Sequence, residues 1–413
     1  MKEKNTTIVG AGIVGIMTAL HLQEEGYSVT VIDRLDPGEG CSRGNAGVLG
    51  SATCIPVSMP GTIKDVPKWL LDPNGPLSID WKYSATLLPW MIKFLKAGKR
   101  AHVEEISIAL DKLHTPTVDI YKHYADLADA SELVKQNGYL HIFESSKSFS
   151  GTKFGRDIRK RRGIVFDTLS SRDIQALEPD LSPIYTDAML IRRDGFTPNP
   201  LRLVQSLAKL FQKRGGTLLR SDVTSIRFAD NCPESLTTSQ GKHTFDKLVV
   251  CAGAWSKSLL DQLGEKVILE SERGYHVMIR NPGITLSRPI FTCDRKFLAT
   301  PMEDGILLAG TAEYASLSAP PNYSRARALL KQGERMFKGL NTDDYSEWMG
   351  HRPATPDSMP VICQSKKFES IYYAFGHGHT GLAGAPMTGK LISELMEGKP
   401  PSIDTTPFDL YRF

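Results

Sequence analysis

A glycine-rich turn near the start of this 413-residue chain constrains its fold more than any other feature. The turn, Gly10 to Gly15, follows a β-rich segment and opens an apolar helical stretch that runs to Gln23. A second predicted strand, Ser28 to Ile32, ends at Asp33. This order of strand, tight turn, helix, strand and acid predicts a dinucleotide-binding βαβ unit.

Each residue type in this unit has a physical reason. Glycine lets the backbone approach a pyrophosphate, the helix N-terminus supplies N–H groups and partial positive charge, and the acid accepts hydrogen bonds from ribose hydroxyls. A plain βαβ turn without a ligand is the alternative, against which the spacing of Asp33 argues. The candidate cofactor-binding residues of the unit are Gly10, Gly12, Ile13, Val14, Gly15, Asp33 and Arg34.

A second glycine-rich loop, Gly376 to Gly381, lies between a predicted strand and a helix that begins near Leu382. The N-terminus of a helix stabilises negative charge, which suits a reduced flavin ring better than a nicotinamide. A buried strand that starts at Lys247 ends in small residues that permit close packing against a cofactor. Three separated elements that converge on one elongated ligand predict FAD. The contacts predicted here are Cys251, Ala252, Gly253, Trp255, Gly376, Gly378, His379, Thr380 and Gly381.

Over nearly its full length, the chain resembles the superfamily of D-amino-acid oxidase, glycine oxidase and D-amino-acid dehydrogenase, and most of all the bacterial D-amino-acid dehydrogenases. The motifs that carry the resemblance are Gly10 to Gly15, Ser42-Arg43-Gly44-Asn45-Ala46-Gly47, Cys251 to Ser256, Arg273-Gly274-Tyr275-His276, Arg352-Pro353-Ala354-Thr355-Pro356-Asp357 and Gly376 to Gly389. The resemblance implies further FAD contacts, with the second motif running beside the flavin ring, although a plain turn is the alternative there. These contacts are Ser42, Asn45, Ala46, Gly47 and Val223.

The presumed FAD elements are far apart in the sequence, so the cofactor domain must be discontinuous. We expect an α/β fold with a Rossmann-like FAD-binding domain and a mixed-sheet α+β cap that binds the substrate. The predicted FAD-binding domain comprises residues 1–80, 149–265 and 346–413. The predicted cap comprises residues 81–148 and 266–345.

The resemblance also implies the residues that orient a substrate. Arg352 corresponds to the arginine that binds the substrate carboxylate in glycine oxidase, and a planar guanidinium pairs with a carboxylate through two hydrogen bonds. A structural ion pair with Asp357 is the alternative. Tyr275 is predicted to assist Arg352 or else to be an ordinary sheet tyrosine. His379 stands where glycine oxidase has an arginine beside the substrate, and its alternative role is to cap the following helix.

The resemblance implies oxidative deamination of D-amino acids, with hydride transfer from the substrate Cα to flavin N5 and electrons passed to a quinone or other acceptor. Gly350 stands where sarcosine oxidases carry the cysteine that links their flavin, so the FAD is expected to be non-covalent. D-proline or D-hydroxyproline dehydrogenation is an alternative within this class, and an opine or sarcosine-type secondary-amine oxidase is an alternative of a different class. Two further interpretations stay open: a subunit that depends on small electron-relaying partner chains, and a non-enzymatic flavoprotein.

Composition sets the remaining expectations. A net charge of +4 gives no nucleic-acid footprint, and six scattered cysteines without a C-x-x-C pair predict neither a metal site nor a disulfide framework. The first strand begins within a few residues, which predicts no signal peptide and a cytoplasmic location. The segment Leu87 to Lys96, with Trp69 to Leu71 upstream, suits a peripheral contact with the cytoplasmic face of the inner membrane. An ordinary amphipathic helix packed on the protein is the alternative.

Overall fold

A computed structural model describes residues 4–72 and 75–413, so residues 1–3 and 73–74 of the predicted FAD-binding domain lie outside the described residues. The strands are β1 (Asn5–Val9), β2 (Ser28–Asp33), β3 (Val48–Leu49), β4 (Leu77–Ile79), β5 (Tyr139–Phe143), β6 (Asp167–Ser170), β7 (Asp187–Ile191), β8 (Gly195–Phe196), β9 (Thr217–Arg220), β10 (Val223–Ala229), β11 (Cys232–Thr238), β12 (Gly241–Thr244), β13 (Lys247–Val250), β14 (Glu270–Ile279), β15 (Ile290–Thr292), β16 (Phe297–Met302), β17 (Gly305–Tyr314), β18 (Tyr345–Ala354), β19 (Val361–Gln364) and β20 (Ile371–Phe375). The helices are α1 (Ile13–Glu24), α2 (Thr62–Leu71), α3 (Ser84–Ala97), α4 (Arg100–His114), α5 (Thr117–Leu127), α6 (Ser146–Gly151), α7 (Lys153–Arg161), α8 (Ser171–Leu177), α9 (Pro200–Lys213), α10 (Ser256–Gln262), α11 (Ser324–Met336) and α12 (Gly381–Met396).

The first sheet has the strand order β19-β20-β13-β1-β2-β9. All neighbouring pairs are parallel except β19 and β20. The strands β1, β13 and β20 are adjacent, and the carboxyl ends of parallel strands meet at one edge of a sheet. The three loops predicted to bind FAD are therefore neighbours at that edge, and the predicted α/β fold is confirmed.

The second sheet has the order β18-β14-β17-β16-β15-β5-β7-β6, and β4 also pairs with β17. The β5–β15 and β4–β17 pairs are parallel and the others are antiparallel, so the sheet is mixed, as expected for a cap. The predicted domain boundaries cut across this sheet, because β4, β6, β7 and most of β18 fall in ranges assigned to the FAD-binding domain. Their backbone hydrogen bonds join them to cap strands instead, so the boundaries stay a prediction.

Helices α1 and α12 pack closely against the first sheet and against each other. Gly389 on α12 permits this approach, since a Cβ built on it would lie 2.7 Å from the carbonyl oxygen of Met17 on α1. Buried side chains of both helices, including Ile16, Leu20 and Leu391, belong to one hydrophobic core. The packing fixes the N-termini of the two helices beside the sheet edge. Within residues 4–72 and 75–413, no helix is long and apolar enough to span a membrane.

Candidate active site

The turn between β1 and α1 requires glycine at two positions. Gly10 has φ of +115°, and a Cβ on it would lie 2.3 Å from the carbonyl oxygen of Cys251. A Cβ on Gly15 would lie 1.9 Å from the carbonyl oxygen of Gly10. Helix α1 follows with Gly12 as its N-cap and no side-chain cap, while the hydroxyl of Ser42 accepts a hydrogen bond from Ile13 N at 3.0 Å. A close backbone turn and a helix N-terminus thus stand where a pyrophosphate would bind.

The acid at the end of β2 is held by backbone amides. Asp33 accepts hydrogen bonds from Ala11 N at 2.7 Å and from Leu35 N at 2.9 Å, which fixes its carboxylate beside the turn. The guanidinium of the next residue, Arg34, stacks 4.1 Å from the centroid of the Trp255 ring. Among the described residues, the buried hydroxyl of Ser256 has no hydrogen-bond partner. Val223 begins β10 close to the end of β2, since Ser221 N donates to Asp33 O at 2.8 Å.

The loop from Ser42 to Gly47 reaches from the first sheet to the second. Asn45 stabilises the turn by accepting a hydrogen bond from Gly47 N at 2.9 Å. The carbonyl oxygen of Ala46 accepts a hydrogen bond from the Thr300 hydroxyl on β16 at 2.9 Å. Gly47 has φ of +77°, and a Cβ there would lie 2.4 Å from the carbonyl oxygen of Thr197. The loop is therefore fastened against the cap.

Trp348 on β18 covers the backbone of two glycines. A Cβ built on Gly350 or on Gly44 would lie 2.0 Å from the indole ring. The same ring stacks on His276 with centroids 5.0 Å apart, and His276 Nδ1 lies 3.2 Å from the carbonyl oxygen of Gly44. Sequence reasoning did not identify Trp348. Its ring leaves no room for a side chain at position 350.

The pairing of β14 with β18 brings Glu272 opposite Arg352 and Gly274 opposite Gly350. The guanidinium of Arg352 lies directly over Gly274, because a Cβ on that glycine would be 2.2 Å from Cζ of the arginine. Nη1 of Arg352 donates to Glu272 at 2.8 Å and to the carbonyl oxygen of Thr311 at 3.1 Å. Nη2 and Nε have no partner among the described residues. One edge of the guanidinium thus remains available to a carboxylate.

Glu272 joins two of the three predicted catalytic residues. Its Oε1 accepts hydrogen bonds from Arg352 and, at 2.5 Å, from His379 Nε2, while the Tyr314 hydroxyl donates to Oε2 at 3.2 Å. The side chain of Glu272 is only 5% exposed. Burial alone would raise the pKa of this carboxyl, but the contacts with His379 and Arg352 outweigh burial and lower the pKa to about 2. Glu272 therefore stays ionised and neutralises part of the charge of the site.

Three expectations about these residues change. Asp357 pairs with Arg412 at 2.7 Å, so the alternative partner suggested for Arg352 is wrong and Glu272 takes that place. His379 donates to Glu272 and gives no side-chain cap to α12. Tyr275 lies on the opposite face of β14, where its hydroxyl donates to Glu313 at 2.5 Å and accepts from Asn322 N at 2.9 Å. Strand alternation separates it from Arg352.

The sequence shows that side chains alternate between the two faces of β14, but not which face lines the site. Glu272, Gly274 and His276 face the loop from Ser42 to Gly47, whereas Arg273 and Tyr275 face the core beneath α11. Sequence reasoning singled out the tyrosine within this motif and missed the acid two residues before the glycine. The tyrosine on the active face is instead Tyr314 of β17, which pairs directly with Glu272.

The loop after β20 completes the site. Gly376 and Gly378 have φ of +85° and +51°, conformations that favour glycine. Residues Gly378–Thr380 form one 3-10 turn, and α12 starts at Gly381 without a side-chain cap. His377 points the other way and is buried, with Nε2 2.8 Å from the Thr388 hydroxyl. The loop thus presents uncapped amides of a helix N-terminus beside His379.

Together, the glycine turn, the fixed acid, the unpartnered Ser256 hydroxyl and the second helix N-terminus fit a dinucleotide cofactor that extends along one sheet edge. The fold and site define a dinucleotide-dependent oxidoreductase with a capped substrate site. A family described as FAD dependent oxidoreductase matches residues 5–395. The chain belongs to this family, and its cofactor is FAD.

Individual relatives agree with the family match. The chain is 38% identical to a D-amino-acid oxidase of Bradyrhizobium diazoefficiens, covering 99% of both chains. It is 24% identical to a D-amino acid dehydrogenase of Helicobacter pylori, covering 96% of this chain and 95% of the relative. The structure is similar in fold to glycine oxidase from Bacillus cereus, with a TM-score of 0.76, 19% identity and coverage of 100% and 99%.

Proposed function

We propose that this flavoenzyme oxidises the α-carbon of D-amino acids to the imine, which water then hydrolyses to a 2-oxo acid and ammonia. The observation that carries the proposal is the guanidinium of Arg352, fixed over Gly274 with Nη2 and Nε unpartnered among the described residues. An α-carboxylate would pair with these two nitrogens in a planar fork. The names of the curated relatives support D-amino acids as the substrates.

Each residue of the site has a separate role in this proposal. Bound FAD supplies the acceptor for the hydride that leaves the substrate Cα. Arg352 binds the α-carboxylate and so orients that carbon, while Glu272 and the Thr311 carbonyl hold the guanidinium in place. His379 borders the site and is held by Glu272. Because Tyr275 lies beneath the sheet, Tyr314 takes the place that the sequence predicts for Tyr275.

The test is anaerobic flavin reduction by a panel of D- and L-amino acids, D-proline, D-hydroxyproline, sarcosine and opines.

Arg352→Ala leaves a desolvated substrate carboxylate unpaired, so we expect kcat/KM to fall by an amount worth roughly 2 to 5 kcal/mol. Acid precipitation should release FAD from both the wild-type enzyme and Arg352→Ala, because the cofactor is proposed to be non-covalent. Arg280→Ala, which removes an exposed pair with Asp344, is the control. Wild-type turnover by Arg352→Ala would contradict the proposal.

We further propose that a membrane quinone accepts the electrons. The support is an exposed apolar surface on α2, the turn before α3, and α3, where Leu71 is 83% and Trp81 is 78% exposed. Exposed lysines, including Lys68 and Lys96, accompany these side chains, a combination that favours an anionic lipid surface. The surface differs from the one that the sequence predicts, because Trp90 is buried and donates to the carbonyl oxygen of Ala354 at 2.9 Å.

Sedimentation with anionic vesicles and reoxidation of the reduced enzyme test the acceptor. We expect binding to vesicles that Trp81→Ser and Leu71→Ser weaken, and faster reoxidation by a quinone analogue than by O₂. Val165→Ser is the matched control, since Val165 is 81% exposed and belongs to neither α2 nor α3. Rapid reoxidation by O₂ with stoichiometric hydrogen peroxide would instead make the protein an oxidase.

A further inference from the structure

A small cavity lies beside the Glu272 carboxylate. Its volume is about 40 Å³. Apolar side chains form much of its wall, namely Ile55, Val57, Trp90, Phe94 and Leu110, and Glu272, Tyr314 and His379 form its polar end. Trp90 is held in the wall by its hydrogen bond to Ala354 and by stacking on Phe94 with centroids 5.0 Å apart. The cavity is therefore a built apolar space next to the proposed carboxylate clamp.

The charges around the cavity are already paired. Arg352 and His379 both donate to the same carboxylate oxygen of Glu272. Among the described residues that line the cavity, none is lysine or arginine. His377 also lines it but is buried, with its Nε2 engaged by the Thr388 hydroxyl. A second carboxylate entering the cavity would meet Glu272 without a free cation to offset the repulsion.

We propose that this cavity receives the substrate side chain and that Glu272 restricts it to uncharged, mainly apolar groups, so that D-aspartate and D-glutamate are excluded. The inference rests on the proposed oxidation of D-amino acids, with Arg352 as the clamp. A substrate whose carboxylate binds Nη2 and Nε of Arg352 lies beside Glu272 and can reach the apolar wall. Glu272 thus holds the guanidinium of Arg352 in place and also excludes substrates with a negatively charged side chain.

Three nearly isosteric substrates separate charge from shape: D-methionine, D-glutamine and D-glutamate. For the wild-type enzyme we expect kcat/KM for D-glutamate to be about 100-fold below that for D-glutamine. This is the effect expected from repulsion between two like charges several Å apart in a medium of effective dielectric near 20. Glu272→Gln should reduce the ratio of kcat/KM for D-glutamine to kcat/KM for D-glutamate at least ten-fold. Glu270→Gln is the control, because Glu270 is a buried carboxylate on the same strand that accepts a hydrogen bond from the Tyr83 hydroxyl at 2.6 Å. An unchanged ratio in Glu272→Gln would overturn the proposal.

Binding measurements keep the test independent of turnover. Glutarate and glutaramate lack the α-amino group and so are not oxidised. Their dissociation constants can be measured from the change that they cause in the flavin spectrum. We expect the wild-type enzyme to bind glutaramate more tightly than glutarate. If Glu272→Gln does not fold, Ile55→Phe narrows the cavity and should raise KM for D-methionine at least ten-fold while leaving D-alanine unchanged. Equal effects on both substrates would refute the cavity assignment. If no D-amino acid reduces the flavin, the proposed function fails, whereas the discrimination between the two ligands still reports on Glu272.

Discussion

Two buried histidines meet where α12 begins. A Cβ built on Gly384 would lie 3.0 Å from Cδ2 of His377 and 3.5 Å from Nε2 of His114. Burial lowers the pKa of His377 from 6.5 to about 3, and the neighbouring His114 contributes to this shift. Burial likewise lowers the pKa of His114 to about 4. Both imidazoles are therefore neutral in the folded protein at physiological pH.

This pair predicts loss of stability in mild acid. The unfolded chain binds protons at these histidines below pH 6.5 and the folded chain does not, so the free energy of unfolding is highest above pH 6.5 and falls as the pH is lowered towards 3. His377 alone should contribute a loss of about 2 kcal/mol between pH 8 and pH 5. Urea unfolding of His377→Gln should show a correspondingly weaker pH dependence. His123→Gln, an exposed control, should match the wild type, and an equally steep dependence in both variants would contradict the prediction.

At the scale of elements, the contact between α1 and α12 depends on Gly389. Gly389→Ala would place a methyl group 2.7 Å from the Met17 carbonyl oxygen, so we expect a loss of about 1 to 3 kcal/mol in unfolding free energy. Because α1 begins at the glycine turn, the FAD dissociation constant should also rise. Gly151→Ala, where no atom lies within 4 Å of the new Cβ, should be neutral or slightly stabilising. Equal stability of the two variants, measured by urea unfolding, would show that the helices are not in close contact.

The elements that could be predicted from sequence are those whose pattern is local. The turn from Gly10 to Gly15 and the helix after Gly381 follow from neighbouring residues, and both lie where expected. The side-chain contacts of β14 depend instead on its register with β17 and β18, which a single sequence does not contain. For this reason the sequence leaves two roles open for Tyr275, an aid to Arg352 or an ordinary sheet tyrosine, and does not identify Glu272.

At the scale of the whole molecule, the site is assembled from distant parts of the chain. Glu272, Tyr314 and Arg352 meet through the pairing of three cap strands, and His379 reaches Glu272 from the loop after β20 of the FAD-binding sheet. The family resemblance located Arg352 and His379 by position but gave neither their partner nor the wall of the cavity. Helix α3 shows the same limit. Its composition is compatible with a peripheral membrane contact, but in the folded protein Trp90 is buried and Leu88 is exposed.

The Trp348 ring lies against two backbone positions, Gly44 and Gly350, that are over 300 residues apart in the chain. These positions are coupled through one side chain, so neither glycine can gain a Cβ while the indole remains. A series of substitutions that introduces a side chain at position 350 therefore has a fixed order of steps. A smaller residue must replace Trp348 first, and the reverse order passes through an intermediate with a steric clash at the active site.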